Sequence, residues 1–100
     1  MTAASRPFDF SFRDELLRDP ENAAIYLAEF LETGYMELFR EGLRHVAKSQ
    51  EGGVRGVAEQ ANLSRENLYR SLSKKGKPQM ETVTKMLSAL GLRLTVTPAH

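Results

Sequence analysis

The sequence predicts an all-α domain of five helices that contains a helix-turn-helix and is followed by one short C-terminal β-strand. Three observations lead there. Apolar residues recur at three- and four-residue spacing through most of the chain, and helix starts and stops punctuate that pattern. Only Leu92 to Thr97 alternates apolar with polar residues at a period of two.

The elements follow in order. Residues 1–18 read as a flexible lead-in: Met1 to Phe12 mixes Pro7 and Arg6 with Phe8, Phe10 and Phe12 without a sustained period, and only Asp14 to Leu17 allows a short helical turn. Residues 19–100 form the single domain. Asp19 as N-cap and Pro20 at the first helical position open a helix from about Pro20 to Thr33, with Ala24, Leu27, Ala28 and Leu31 as its apolar repeat and Gly34 as its stop. A second helix, Tyr35 to Ser49, carries Phe39, Leu43 and Val46 on one stripe, flanked by Met36 and Ala47. Two shorter helices, Val54 to Ala61 and Ser64 to Leu72, are separated by only a tight turn. After the loop Ser73 to Pro78, Met80, Val83, Leu87 and Leu90 mark a fifth helix ended by Gly91. The lone strand needs a partner for its backbone groups, and the simplest is a second copy of the chain, which assigns Leu92, Leu94 and Val96 to a homodimer contact.

Val54 to Leu72 carries the functional signal. In a helix-turn-helix the helices cross steeply, so the first must present a small residue under the second, and Ala58 fills that place. Asn62, four residues on, tolerates the positive φ of the turn. Leu63 plugs the core, Ser64 caps the second helix and Leu68 points inward one turn later. The remaining side chains, Arg65, Glu66, Asn67, Tyr69 and Arg70, face solvent or DNA; arginine can read guanine, asparagine adenine, and glutamate cytosine in the major groove. Ser64 and nearby amides can hold a phosphate, and Lys74, Lys75 and Lys77 follow where they can neutralise others. Each feature alone would suit an ordinary helical hairpin; their coincidence at these intervals favours a reader of double-stranded DNA.

These segments also resemble a known family. AIYLAEFLETG, NLSRENLYRSLSKKGKP and LSALGLRLTV, spread over Asp19 to Thr97, are similar to the addiction-module antidotes, the HigA-like antitoxins of type II toxin-antitoxin systems that pair with toxins of the RelE and HigB kind. The resemblance implies a lambda-repressor-like (XRE-type) helix-turn-helix, a dimer that binds operator DNA and represses its own operon, and a cognate toxin as partner. It places Ser64, Arg65, Glu66, Asn67, Tyr69 and Arg70 in the recognition positions. The chain departs from the family pattern at Gln79, where a Ser or Thr cap is usual, and at Glu51, which makes the loop before Val54 acidic.

Composition narrows the alternatives. The net charge of +1 hides a gradient: residues 1–50 carry 6 basic and 9 acidic side chains, and residues 51–100 carry 8 and 4. The acidic half, with Glu29, Glu32, Glu37 and Glu41, offers attraction to a basic toxin. Cysteine is absent and no apolar run reaches membrane-span length, so the expected setting is cytoplasmic, away from membranes. With His45 and His100 the only histidines and no phosphate-binding glycine loop or metal-ligand spacing, neither catalytic residues nor a metal or other cofactor is expected. Gly56, inside a helix, implies close helix packing or backbone approach to a phosphate. A solitary repressor, or a protein-interaction module with a vestigial helix-turn-helix, remains open on the residues alone.

Overall fold

The computed structural model describes residues 14–99, and local caps mark several of the helix ends there. A short 3₁₀ helix, η1 (Asp14–Arg18), leads into α1 (Pro20–Thr33). Asp19 caps α1 by accepting from the Glu21 amide at 3.0 Å, and Gly34 ends it in the left-handed region at φ 79°, donating to the Leu31 carbonyl. Then come α2 (Met36–Ser49), α3 (Gly53–Ala61), α4 (Arg65–Ser71) and α5 (Met80–Ala89). Of the expected flexible lead-in over residues 1–18, residues 1–13 lie outside the described residues, whereas Asp14–Arg18 form η1 with Leu17 buried in the core.

The core is one apolar cluster to which η1 and all five α-helices contribute. α1 is helical where expected, but its buried face is not the expected one. Ala23, Tyr26, Leu27 and Phe30 face inward, whereas Ala24, Ala28 and Leu31 are exposed. The aromatic rings fix the phase because they remove far more apolar surface from water than alanines do. Tyr26 and Phe30 meet edge to face at 5.0 Å, and the Phe30 ring lies against Gly42 of α2. On α2 the expected stripe of Phe39, Leu43 and Val46 is buried; of its two expected flanks Ala47 is buried as well, while Met36 is exposed.

The C-terminal segment corrects the sequence reading. Leu92 to Thr97 is not a strand: among the described residues there is no strand, and residues 92–99 are irregular. Alternation supplies two faces, but a ladder needs a second extended segment, and the described helices offer none. Leu92 instead donates its amide to the Leu87 carbonyl at 2.7 Å and packs against the core.

η1 is tied down by polar side chains. Leu17 is buried; Arg18 Nε donates to the Ser49 carbonyl at 2.7 Å, and Gln50 Nε2 donates to the carbonyls of Leu17 and Val46, so that the Val46 and Ser49 acceptors at the end of α2 are satisfied and η1 is joined to it. His45 joins three elements, with Nδ1 2.7 Å from the Tyr26 hydroxyl and Nε2 2.9 Å from Asp14 Oδ1. The His45 hydrogen bond holds the Asp14 carboxyl below its ordinary range.

Two glycines inside helices differ in what surrounds them. A Cβ on Gly42 would lie 2.6 Å from the buried Phe30 ring, whereas one on Gly56 would meet nothing within 4 Å. Helix packing therefore explains Gly42 but not Gly56. Gly42→Ala is expected to destabilise the fold by about 1–3 kcal/mol through overpacking, while Gly56→Ala stabilises it by about 0.5–1 kcal/mol through helix propensity. Thermal or urea unfolding of the two variants reads both signs, and equal signs would contradict the packing just described.

Candidate nucleic-acid interface

The turn between α3 and α4 determines which way α4 faces. Asn62 adopts the left-handed conformation at φ 60°, the one non-glycine residue with positive φ among those described. Its amide and that of Leu63 donate to the Glu59 and Ala58 carbonyls, closing α3. Ser64 is extended, and its hydroxyl oxygen accepts from the Asn67 amide at 3.0 Å. Ala58 is buried in the core, and Leu63 is partly buried against it. On the inner side Leu68 and Leu72 are sealed, Leu68 at 0% exposure.

That packing leaves the other side of α4 in solvent. Ser64, Arg65, Glu66, Tyr69 and Arg70 are exposed and Asn67 is half-buried; Tyr69 keeps 54% of its surface. Among the described residues none forms an ion pair with Arg65, Glu66 or Arg70. The charged tips are thus uncommitted, while the Ser64 oxygen is already engaged in the cap and retains a hydroxyl proton to donate.

The lysines come from a folded loop. Gly76 donates to the Ser73 carbonyl at 2.8 Å, Ser73 Oγ donates to the Arg70 carbonyl, and a Cβ on Gly76 would collide with the carbonyls of Arg70 and Ser71. From α2, the half-buried Arg40 donates Nη1 to the Gly76 carbonyl at 3.1 Å. Its Nε is buried without a partner. Lys74, Lys75 and Lys77 stay exposed around this turn.

The same lysines border an apolar groove of about 720 Å³ that sequence reasoning missed, lined also by Leu31, Met36, Phe39, Met80, Val83 and Leu94. Its signal was weak, since Met36 and Met80 begin their helices at positions that any phase allows. Of the residues assigned to a dimer contact, Leu94 lines this groove, Val96 stands in solvent and Leu92 is taken up by its own core. Among the described residues no group of His, Asp and Glu side chains could hold a metal ion, and no helix is long and apolar enough to cross a membrane.

Asn62→Gly is expected to leave stability within about 1 kcal/mol, since the left-handed conformation costs glycine nothing, whereas Asn62→Val costs more than about 1 kcal/mol. Ser64→Ala loses about 1 kcal/mol with the cap. Chemical unfolding checks the order; an Asn62→Val variant as stable as Asn62→Gly would remove the constraint assigned to the turn.

Residues 5–98 match the sequence profile of the family described as probable addiction module antidote protein. An uncharacterised protein of Haemophilus influenzae is 34% identical over 96 residues, covering 96% of this chain and 94% of the relative. No solved structure matches the chain. A profile match of that extent, joined by a relative aligned over nearly its whole length, means that the chain belongs to the probable addiction module antidote protein family.

Proposed function

We propose that this chain is the antitoxin of a type II toxin-antitoxin pair in the cytoplasm, binding operator DNA as a homodimer to repress its own operon and neutralising a RelE/HigB-like toxin. The antidote family supports the antitoxin role. The observation that carries the DNA reading is the division of α4 into a sealed aliphatic side, Leu68 and Leu72, and an exposed side bearing Arg65, Asn67 and Arg70. A merely structural helical hairpin has no need of two unpaired arginines there.

In this mechanism α4 enters the major groove in the manner of a lambda-repressor-like, XRE-type domain. Arg65 and Arg70 donate to guanine edges, Asn67 pairs with adenine, and Glu66 accepts from cytosine. Tyr69, Ser64 and the loop lysines Lys74, Lys75 and Lys77 contact the backbone and set the register. One seven-residue helix reads few base pairs, so two copies on half-sites about one helical turn apart are required. Leu94 and Val96, exposed apolar residues on the tail, supply the contact between copies.

Arg65→Ala and Arg70→Ala are each expected to weaken binding to a duplex from the chain's own promoter by about 1–3 kcal/mol and to relax base preference at one position. Lys74→Ala or Lys77→Ala weakens all duplexes alike and lowers the salt dependence by about one unit. Fluorescence anisotropy at several salt concentrations measures both, and unaltered affinity in both arginine variants would refute the DNA reading.

A further inference from the structure

The outward face of α1 is apolar at its centre and acidic at its edges. At 3.6 residues per turn, Glu21, Ile25, Ala28 and Glu32 lie opposite the buried Tyr26, Leu27 and Phe30, with Leu31 on one shoulder and Glu29 on the other. Ile25 is 61% exposed and Leu31 39%. The helix contains no Lys, Arg or His, and among the described residues none pairs with Glu21, Glu29 or Glu32. Elsewhere the acid is partly neutralised: Glu41 meets Arg44 at 3.0 Å and Arg40 at 3.5 Å.

We infer that this face of α1 is the docking surface for a basic protein, namely the toxin partner, and the inference rests on the antitoxin reading given above. Charge decides between the occupants. Nucleic acid and anionic lipid would be repelled by three uncompensated carboxylates, and a second copy laid face to face would set glutamates against glutamates. A partner with an apolar anchor site ringed by Lys or Arg fits both the Ile25 centre and the acidic margin. α1 packs chiefly on η1 and α2, and α4 chiefly on α3; the α1 face meets the lysine-bordered groove only at its Leu31 shoulder, while Ile25 is not among the groove's lining residues.

The test uses the full chain and the protein encoded by the reading frame adjoining its gene. Glu29→Lys with Glu32→Lys places cations near a helix C-terminus, where the dipole accepts them. The double variant is expected to associate with that protein about tenfold more slowly and to bind operator DNA no more weakly than wild type. Ile25→Ser, which keeps every charge, is expected to dissociate about tenfold faster. If wild type binds and both variants bind as wild type does, this surface is wrong and the antitoxin reading stands. If wild type itself does not bind, both fall. Should the double variant fail to fold, Ile25→Ser alone decides.

Discussion

The presentation of α4 depends on the reversal that three residues of turn, Asn62, Leu63 and Ser64, impose between α3 and α4. Asn62 holds a conformation that costs most L-residues about 1 kcal/mol or more, and Ala58, small and buried, lies on the inner side of α3. Seven residues are too few for a helix to persist in water by itself. α4 is therefore oriented by Leu68 and Leu72 in the common core and by its Ser64 cap, not by its own propensity. α3 in turn rests on α2 and α5, so a cavity anywhere beneath this stack would be felt in the direction of Arg65 and Arg70.

What could be read from the sequence is what acts over a few residues. Asn62, Ser64, Asp19 and Gly34 each work within one turn of chain, and each adopts the geometry its chemistry suggests. The phase of α1 was not legible, because its alanines and Leu31 also repeat at helical spacing; the larger apolar area of Tyr26, Leu27 and Phe30 decides it, and Gly42 on α2 leaves room for the Phe30 ring. The alternation in Leu92 to Thr97 is likewise local, but a ladder is not. The lysine loop falls between these cases: its position after α4 is plain in the sequence, while its shape depends on Arg40, which lies 36 residues from Gly76.

Folding turns the charge gradient along the chain into separate surfaces. Cations cluster on α4 and the loop behind it, and uncompensated carboxylates line α1. Nearly equal totals keep the net charge at +1, which lowers indiscriminate attraction to nucleic acid while a local field remains around the clustered cations. On the proposed reading, affinity then has to come from base contacts and from doubling the half-site, so discrimination between sequences is gained where nonspecific binding is given up.

The apolar groove beside the lysines belongs to the same logic. Met36, Met80 and Leu94 expose hydrophobic surface within a rim that carries Lys74, Lys75 and Lys77, and contiguous apolar patches of this kind commonly mark contact sites. Arg40 stabilises this region from below, donating to Gly76 while its Nε stays unsatisfied, a cost that a well-packed apolar side chain would avoid. That cost is intelligible if the loop must be held in one shape: lysines on a wandering loop would lose entropy on meeting phosphates, and a loop already fixed by Arg40 and Gly76 has lost it during folding.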